Sequence, residues 1–415
     1  MNKINFNEVL DRTYNSNLPH VKQKVLWISM DIGSTETRSI TYSPEVKEQQ
    51  TTYLTEVFKT PSQTWVADTN IPVDGESMKD RLVCRFSSGQ IAGVCAKGTI
   101  TDSLVSKART INSSSDKLLQ RATYSSIFFD IALICELDSQ VTGVKADHYI
   151  IKLMLSIPPK ESNNKKNREN QEKFFNQGGI VYYFPFFEDN GGSFSIQSCN
   201  LLQEPEAAGI YFKAIHNLID TRSNYLFLDV GGRSAGVVPM KNGRLLGSNT
   251  TIDKTIGGSK LLANIAEEVA IKYSISVPST DLICNALQTG EFYIPSRGTD
   301  CGQDSDFKEI VDHNKRKFAE IIAQYCSDSA AINNIDFGYL DTIYLTGRVF
   351  NDYLDPRTGQ PYYVSLFELV KETLRDDYGY EGAIRCENND YNLNPICNGL
   401  FYAQAAINAG KDEKK

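Results

Sequence analysis

Apolar residues along this chain fall into short dense runs separated by polar punctuation, and two of the runs are built alike. Val25-Leu26-Trp27-Ile28-Ser29-Met30 leads into Asp31-Ile32-Gly33-Ser34-Thr35, and Tyr225-Leu226-Phe227-Leu228 leads into Asp229-Val230-Gly231-Gly232-Arg233-Ser234. An apolar run ending in Asp-x-Gly reads as a buried strand opening into a tight hairpin turn. Residues 37–42 and 235–240 read as the return strands. Half a chain separates the copies, far more than a solenoid period. The pattern predicts two similar domains, each offering a carboxylate and a glycine turn to something held between them.

The remaining periodicity alternates between strand and helix. Residues 57–95 carry strand-like runs, including Thr64-Trp65-Val66-Ala67 and Arg81-Leu82-Val83-Cys84-Arg85-Phe86. Leu118, Leu119, Ala122, Ile127, Phe128, Ile131 and Ala132 recur at helical spacing and predict a long buried helix over 117–137. A strand is expected over 147–157, stopped by Pro158-Pro159. The Asn-, Lys- and Glu-rich stretch 160–173 reads either as a solvated insertion or as a basic contact loop. Strand character returns at 180–187, and helices are expected over 204–218, 260–273 and 314–331, with 274–312 irregular and polar. A second return strand is expected over 244–249, a further strand over 342–346, and a closing helix led by Asn394-Pro395 and running to residue 408. Strands and helices alternate in two matching halves, which predicts an α/β protein of two lobes.

Bulk composition narrows the function classes. At 415 residues the chain has room for about two or three domains. With 41% hydrophobic and 23% charged residues it can build sizeable cores. A net charge of −8 argues against general nucleic-acid binding, which needs clustered Lys and Arg. Nine cysteines at irregular spacing, with no Cys-x-x-Cys pair, favour reduced buried thiols over a disulfide scaffold or zinc site. The polar lead-in over residues 1–24 shows no signal peptide, and the longest interior apolar run, over 127–137, falls short of the ~18 residues of a spanning helix. A cytoplasmic location with no membrane partner is the expectation.

The doubled turn suits phosphate chemistry. Glycine removes the Cβ that blocks close approach, and successive backbone N–H groups form a nest for phosphate oxygens. An aspartate at the turn can hold a hydrated Mg²⁺ that bridges substrate phosphates. Asp-Gly after a strand is also a very common hairpin signal, so either turn alone leaves both readings open. Other motifs sit at informative places. Glu204 begins the helix Glu204-Pro205-Glu206-Ala207-Ala208-Gly209, with proline in the first turn, and could reach a metal-bound or attacking water. Gly257-Gly258-Ser259-Lys260 opens a helix whose first amides could face a nucleotide. Ile343-Tyr344-Leu345-Thr346-Gly347-Arg348 is again a strand meeting glycine, suited to a ligand's base or sugar. Gly399, Ala403 and Ala406 form a small-residue stripe fit for close contact with the helix beginning at Glu204.

In this order the motifs resemble the actin-like ATPase superfamily, which spans actins, bacterial actin homologues, heat-shock chaperones and sugar kinases. Asp31-Ile32-Gly33-Ser34-Thr35 and Asp229-Val230-Gly231-Gly232-Arg233-Ser234 resemble its two phosphate loops. Glu204-Pro205-Glu206-Ala207-Ala208-Gly209 and the stretch 399–403 resemble its two connecting helices, and Leu345-Thr346-Gly347-Arg348 its adenosine motif. Leu155-Ser156-Ile157-Pro158 is similar to the strand-Pro that precedes the first connecting helix. The resemblance covers most of the chain, residues 25–410.

It implies two lobes of ribonuclease-H-like fold, each a mixed sheet flanked by helices, with ATP (or GTP) and Mg²⁺ in a cleft between them. The lobes would be 25–203, with a polar insertion over 160–178, and 204–394, with a small upper subdomain over 260–330; a helix over 395–410 returns to the first lobe. By resemblance, Asp31 and Asp229 would hold the metal and Glu204 would polarise the attacking water. Gly33, Ser34, Thr35, Gly231, Gly232, Arg233, Ser234, Gly257, Gly258, Lys260, Gly347 and Arg348 would line the nucleotide. Absence of a chaperone's peptide-binding segment and of a sugar-kinase signature leaves a stand-alone filament-forming ATPase of the plasmid-segregating type, with an adaptor protein linking it to DNA as a partner. Two departures bear on this: Arg233 and Arg348 stand where the family has smaller residues. Arginine there either donates to phosphate or stacks on the base, or marks a degenerate site in a non-polymerising, nucleotide-gated adaptor.

Overall fold

A computed structural model describes residues 18–33, 36–43, 54–61, 65–67, 82–88, 92–97, 117–162, 164–176, 178–184, 191–218, 222–247, 250–253, 255–292, 305–386 and 394–412. The chain forms two compact units, Met1–Tyr211 with Asn394–Lys415, and Phe212–Leu393.

Nine strands build the sheet of the first unit: β1 (His20–Ile32), β2 (Glu36–Tyr42), β3 (Leu54–Pro61), β4 (Trp65–Ala67), β5 (Leu82–Ser87), β6 (Ala92–Lys97), β7 (Lys145–Ile157), β8 (Ile180–Tyr183) and β9 (Gly191–Gln203). Their order is β3-β2-β1-β7-β9-β8-β5-β6-β4. β1, β2 and β3 form an antiparallel meander, whereas β1, β7 and β9 run parallel. Leu26, Ile28, Met30 and Ile32 on β1, with Ile151, Leu153, Leu155 and Ile157 on β7, are fully buried, as continuous apolar runs in a covered parallel sheet should be. The helix α1 (Arg121–Thr142) precedes β7 and is buried on nearly every side. Its three interior acids are partnered: Asp130 by Lys97 at 2.7 Å, Asp138 by Lys24 at 2.9 Å, and Glu136 by the Tyr182 hydroxyl at 2.9 Å. Burying a carboxylate costs far less once it is paired or hydrogen-bonded. The helix α2 (Lys165–Phe175) lies between β7 and β8, and α3 (Glu204–Ile215) follows β9 directly.

The second unit repeats the plan. β10 (Tyr225–Val230), β11 (Ala235–Lys241) and β12 (Arg244–Leu245) form the antiparallel meander, and β14 (Thr342–Thr346) and β15 (Ala383–Cys386) pair parallel beside β10. Strand order is β12-β11-β10-β14-β15, with β13 (Thr251–Asp253) paired to β11, matching β3-β2-β1-β7-β9 of the first sheet. The helices α4 (Gly258–Tyr273), α5 (Thr280–Thr289) and α6 (Ser305–Ile332) precede β14, and α7 (Leu366–Asp376) precedes β15. A separate core, centred on Leu226, Leu228, Val237, Ile322, Ile343 and Leu345, holds the unit together. The last helix, α8 (Pro395–Asp412), belongs to the first unit.

The two hairpins share a register. Four residues separate Ile32 from its partner Thr37, and four separate Val230 from Ala235. Asp31 and Asp229 each occupy the preceding pair, opposite Arg38 and Gly236.

Several elements differ from the sequence-based expectation. The polar stretch after Pro158 is helical: α2 buries only Gln171 and Phe175, too little apolar surface to produce a visible period. The stretch 274–312 holds α5, and α6 begins at Ser305. β1 begins at His20, inside the polar lead-in, because its exposed first residues pair with β7 from Lys145 onward. The second return strand shortens to Arg244–Leu245.

α8 crosses α3 at very short range. A Cβ built on Gly399 would lie 1.7 Å from the Ala207 carbonyl oxygen, so only glycine permits this crossing without movement of the backbone. Gly399→Ala is therefore expected to destabilise the first unit by about 1–3 kcal/mol, the usual cost of overpacking. The check is the urea midpoint; an unchanged midpoint would contradict the close crossing.

Candidate functional site

In an open α/β sheet, the carboxyl ends of the parallel strands are where ligands bind. In the first unit three such ends carry polar side chains. Asp31 and Ser156 each lie one residue before the end of their strands, β1 and β7, and Glu204 follows β9. Asp31 is only 5% exposed. Its Oδ1 accepts from the Ser156 hydroxyl at 2.9 Å, and the same hydroxyl accepts from the Ile32 amide at 3.3 Å. Arg38, its partner across the hairpin, brings Nη1 to 3.8 Å from Asp31 Oδ2. Glu204 Oε1 accepts from Lys117 Nζ at 3.2 Å. Burial pushes the Glu204 carboxyl above its ordinary value; Lys117 pulls it back, and the like charge of Asp31 pushes it up again. That mutual influence brings Asp31 and Glu204 into one electrostatic environment. Gly33 follows directly in the turn, while Ser34 and Thr35 lie outside the described residues.

In the second unit Asp229 stands at the same register, half-buried, opposite Thr346 of β14. The turn after it closes by a hydrogen bond from the Gly231 amide to the Ser234 carbonyl at 2.9 Å. Gly231, Gly232 and Arg233 all keep ordinary backbone, so arginine is accommodated at 233 without strain. Its side chain is exposed. Gly257 and the start of α4 brace this turn from behind. A Cβ on Gly257 would lie 2.7 Å from the Arg233 carbonyl carbon, and the Gly258 and Ser259 amides donate to the Gly231 and Gly232 carbonyls at 3.0 and 2.7 Å. Two of the first α4 amides thus hold the loop, where the sequence pattern suggested they would face a nucleotide. Lys260, next on α4, is exposed. Gly347 is pressed onto the same hairpin: at φ +126°, its Cβ would sit 2.1 Å from the Val230 carbonyl oxygen. Arg348 follows in a 3-10 turn that buries Phe350, with no left-handed backbone and hence no requirement for glycine.

Each unit therefore gathers its own set. Asp31, Gly33 and Glu204 come together in the first, and Asp229, the turn 231–234, Gly257, Gly258 and Gly347 in the second. The sequence pattern missed Ser156, Arg38 and Lys117 as members. Ser156 lay within the strand-Pro motif, and Arg38 is fixed by hairpin register, so both were within reach; Lys117 pairs across a long stretch of chain and left no local spacing. Among the described residues, no group of three or more His, Cys, Asp or Glu is placed to hold a metal ion. In the first unit the Asp31 carboxylate, held by the Ser156 hydroxyl, fits a hydrated Mg²⁺, an ion that keeps several waters and is shared with substrate phosphates. Also among the described residues, no helix is long and apolar enough to cross a membrane.

No protein-family model matches the chain, and no curated protein matches it in sequence. Solved structures do. The actin-like protein Alp7A superposes with a TM-score of 0.63 at 12% identity, covering 95% of this chain and 100% of its own. The archaeal actin homologue Ta0583, also solved in complex with ADP, gives 0.62 at 13% identity over 92% of this chain and 99% of its own. ParM from Bacillus thuringiensis with AMPPNP gives 0.57 at 11% identity over 93% and 99%. A pCBH ParM, solved as a non-polymerisable quadruple mutant, gives 0.56 at 9% identity over 93% and 100%. With two units of matching strand order and hairpin register, and these likenesses over nearly its whole length, the chain has the actin-like fold.

Proposed function

We propose that this protein is an actin-like ATPase that binds ATP with Mg²⁺ through the turns of both units and assembles into nucleotide-dependent filaments. The observation that carries the reading is the repeated placement of an aspartate at the carboxyl end of a hairpin strand. In the first unit it is joined by a carboxylate, Glu204, whose proton affinity burial has raised. ADP and AMPPNP in structures of the same fold support nucleotide as the ligand. The ParM variant described as non-polymerisable supports self-assembly as the use. An adaptor protein linking the filament to DNA and a cytoplasmic setting complete the proposal, as the motif resemblance implies.

Asp31 and Asp229 are the residues that would hold hydrated Mg²⁺, whose contribution is to neutralise charge on the phosphates. Ser156 fixes the Asp31 carboxylate by donating to one oxygen, leaving the other toward Arg38. The amides of the two hairpin turns, with Ser34, Thr35 and Ser234, supply phosphate donors. Glu204, as a carboxylate, accepts a proton from the attacking water, and Gly347 lets the end of β14 pack directly onto the second turn, beside which the nucleoside would lie. Arg233 is an exposed cationic donor in the second turn, suited to phosphate oxygens. That same exposed arginine, with the exposed Arg348 after Gly347, favours a second reading in which the protein binds nucleotide without turnover and grips a protein partner.

Incubation with ATP and Mg²⁺, followed by light scattering, pelleting and phosphate release, separates the two. ATP-dependent pelleting with phosphate release is expected; tight nucleotide binding with neither result would favour the adaptor. Asp229→Ala is expected to abolish phosphate release from a chain that still unfolds in urea as a single cooperative transition. Unchanged turnover in that variant would refute the assignment. The pH profile supplies a further check. Because the Glu204 carboxyl is raised above 4.5 by burial, it protonates, and ceases to act as a base, at a pH above 4.5 as acidity increases. The acid limb of hydrolysis should therefore fall above pH 4.5, and Glu204→Gln should remove activity across the whole range; a limb at or below that value would contradict the role.

A further inference from the structure

Building on the ATPase reading, we propose that Glu204 is aimed by two buried groups in series: Lys117, which holds the carboxylate, and Glu161, which holds Lys117. Lys117 is then the positioning residue that joins Glu204 in orienting water, and Glu161 acts only through it.

The geometry is specific. Lys117 Nζ lies 3.2 Å from Glu204 Oε1, with the two side chains 9% and 21% exposed. The charged groups influencing Glu204 are Lys117, Asp31 and Glu161, two anions and one cation. Without the cation the carboxylate is repelled from both neighbours, so the lysine decides which way Glu204 points. A lysine is a flexible point charge and positions a partner only if its own backbone is anchored. Here the anchor is unusual. The Lys117 main-chain amide donates to both oxygens of Glu161, at 3.1 and 3.1 Å. Glu161 sits in the helical turn Pro159–Ser162 immediately after β7, is 5% exposed, and also accepts from Gln171 Nε2 of α2 at 2.8 Å. A hydrogen bond from an amide to an ionised carboxylate is among the stronger kinds, and a buried carboxylate must have such donors. Leu118, next to the anchored amide, is fully buried in the core, which pins the turn from its other side. The end of β7, the turn Lys117–Leu119 before α1, and α2 thus converge on one side chain at the start of α3.

A double-mutant cycle on ATP hydrolysis tests the series arrangement. Lys117→Met is expected to lower kcat about 100-fold, the scale of a misplacement of ~1 Å at a reacting group, with KM for ATP little changed. Lys117→Arg, which keeps the charge, should recover part of that loss. Glu161→Ala should lower kcat by a smaller factor alone and by nothing further in the Lys117→Met background, because its effect passes through the lysine. Should Glu161→Ala fail to fold, Glu161→Gln retains an acceptor for the Lys117 amide, and Gln171, whose Oε1 has no hydrogen-bond partner among the described residues, can turn to meet it. That variant should show the same pattern at reduced size. Losses that multiply in the double variant, or a Lys117→Met enzyme with parental kcat, would overturn the relay while leaving the ATPase reading intact. Absence of phosphate release from the parent protein would instead defeat the ATPase reading, and the relay with it.

Discussion

Parallel pairing between a hairpin strand and the crossover strand beside it governs where Asp31, Ser156, Glu204, Asp229 and Gly347 lie. A parallel partner must arrive through a long connection, so its strand ends on the same edge of the sheet as the strand it joins. In the first unit this sets the ends of β1, β7 and β9 side by side, and in the second the ends of β10 and β14. Asp31, Ser156 and Glu204 are neighbours for that reason alone, although long stretches of sequence separate them. Asp229 and Gly347 are brought together by the same rule.

The edge so formed is crowded, and the crowding explains much of the local chemistry. Backbone approaches at Gly347, Gly257 and Gly399 leave no volume for a Cβ, so these glycines serve packing between segments. Where side chains do enter, they are charged and partly withdrawn from water. Asp31 has Ser156 and Arg38, Glu204 has Lys117, and Glu161 has a main-chain amide and a glutamine. Each of these three acids is held by a group of fixed origin, an arrangement that suits the proposed phosphoryl transfer by positioning.

Legibility in the sequence followed the strength of the hydrophobic signal. Both hairpins, the strand Thr342–Thr346 and the small-residue helix α8 were readable because buried strands are continuous apolar runs and close helix crossings need glycine and alanine. α2 was obscured because its polar surface outweighs two buried residues, and α7 carries its apolar residues on one narrow face within a polar stretch. The aspartates and Glu204 stood out by motif. Lys117 and Glu161 did not, since their roles depend on contacts between segments far apart in the chain. The glycine-led start of α4 was legible as a motif, but its amides turn to the loop they support, which only tertiary structure decides.

The proposal at the centre is that the hairpin aspartate of each unit, Asp31 and Asp229, serves nucleotide binding. Isothermal titration of Mg²⁺-ATP into the full chain and into its Asp31→Asn and Asp229→Asn variants tests it most directly. One nucleotide per chain is expected for the parent, with weakened binding in each variant, whether the change is in the first unit or the second. Binding that persists at parental affinity in either variant, or no binding by the parent, would contradict it.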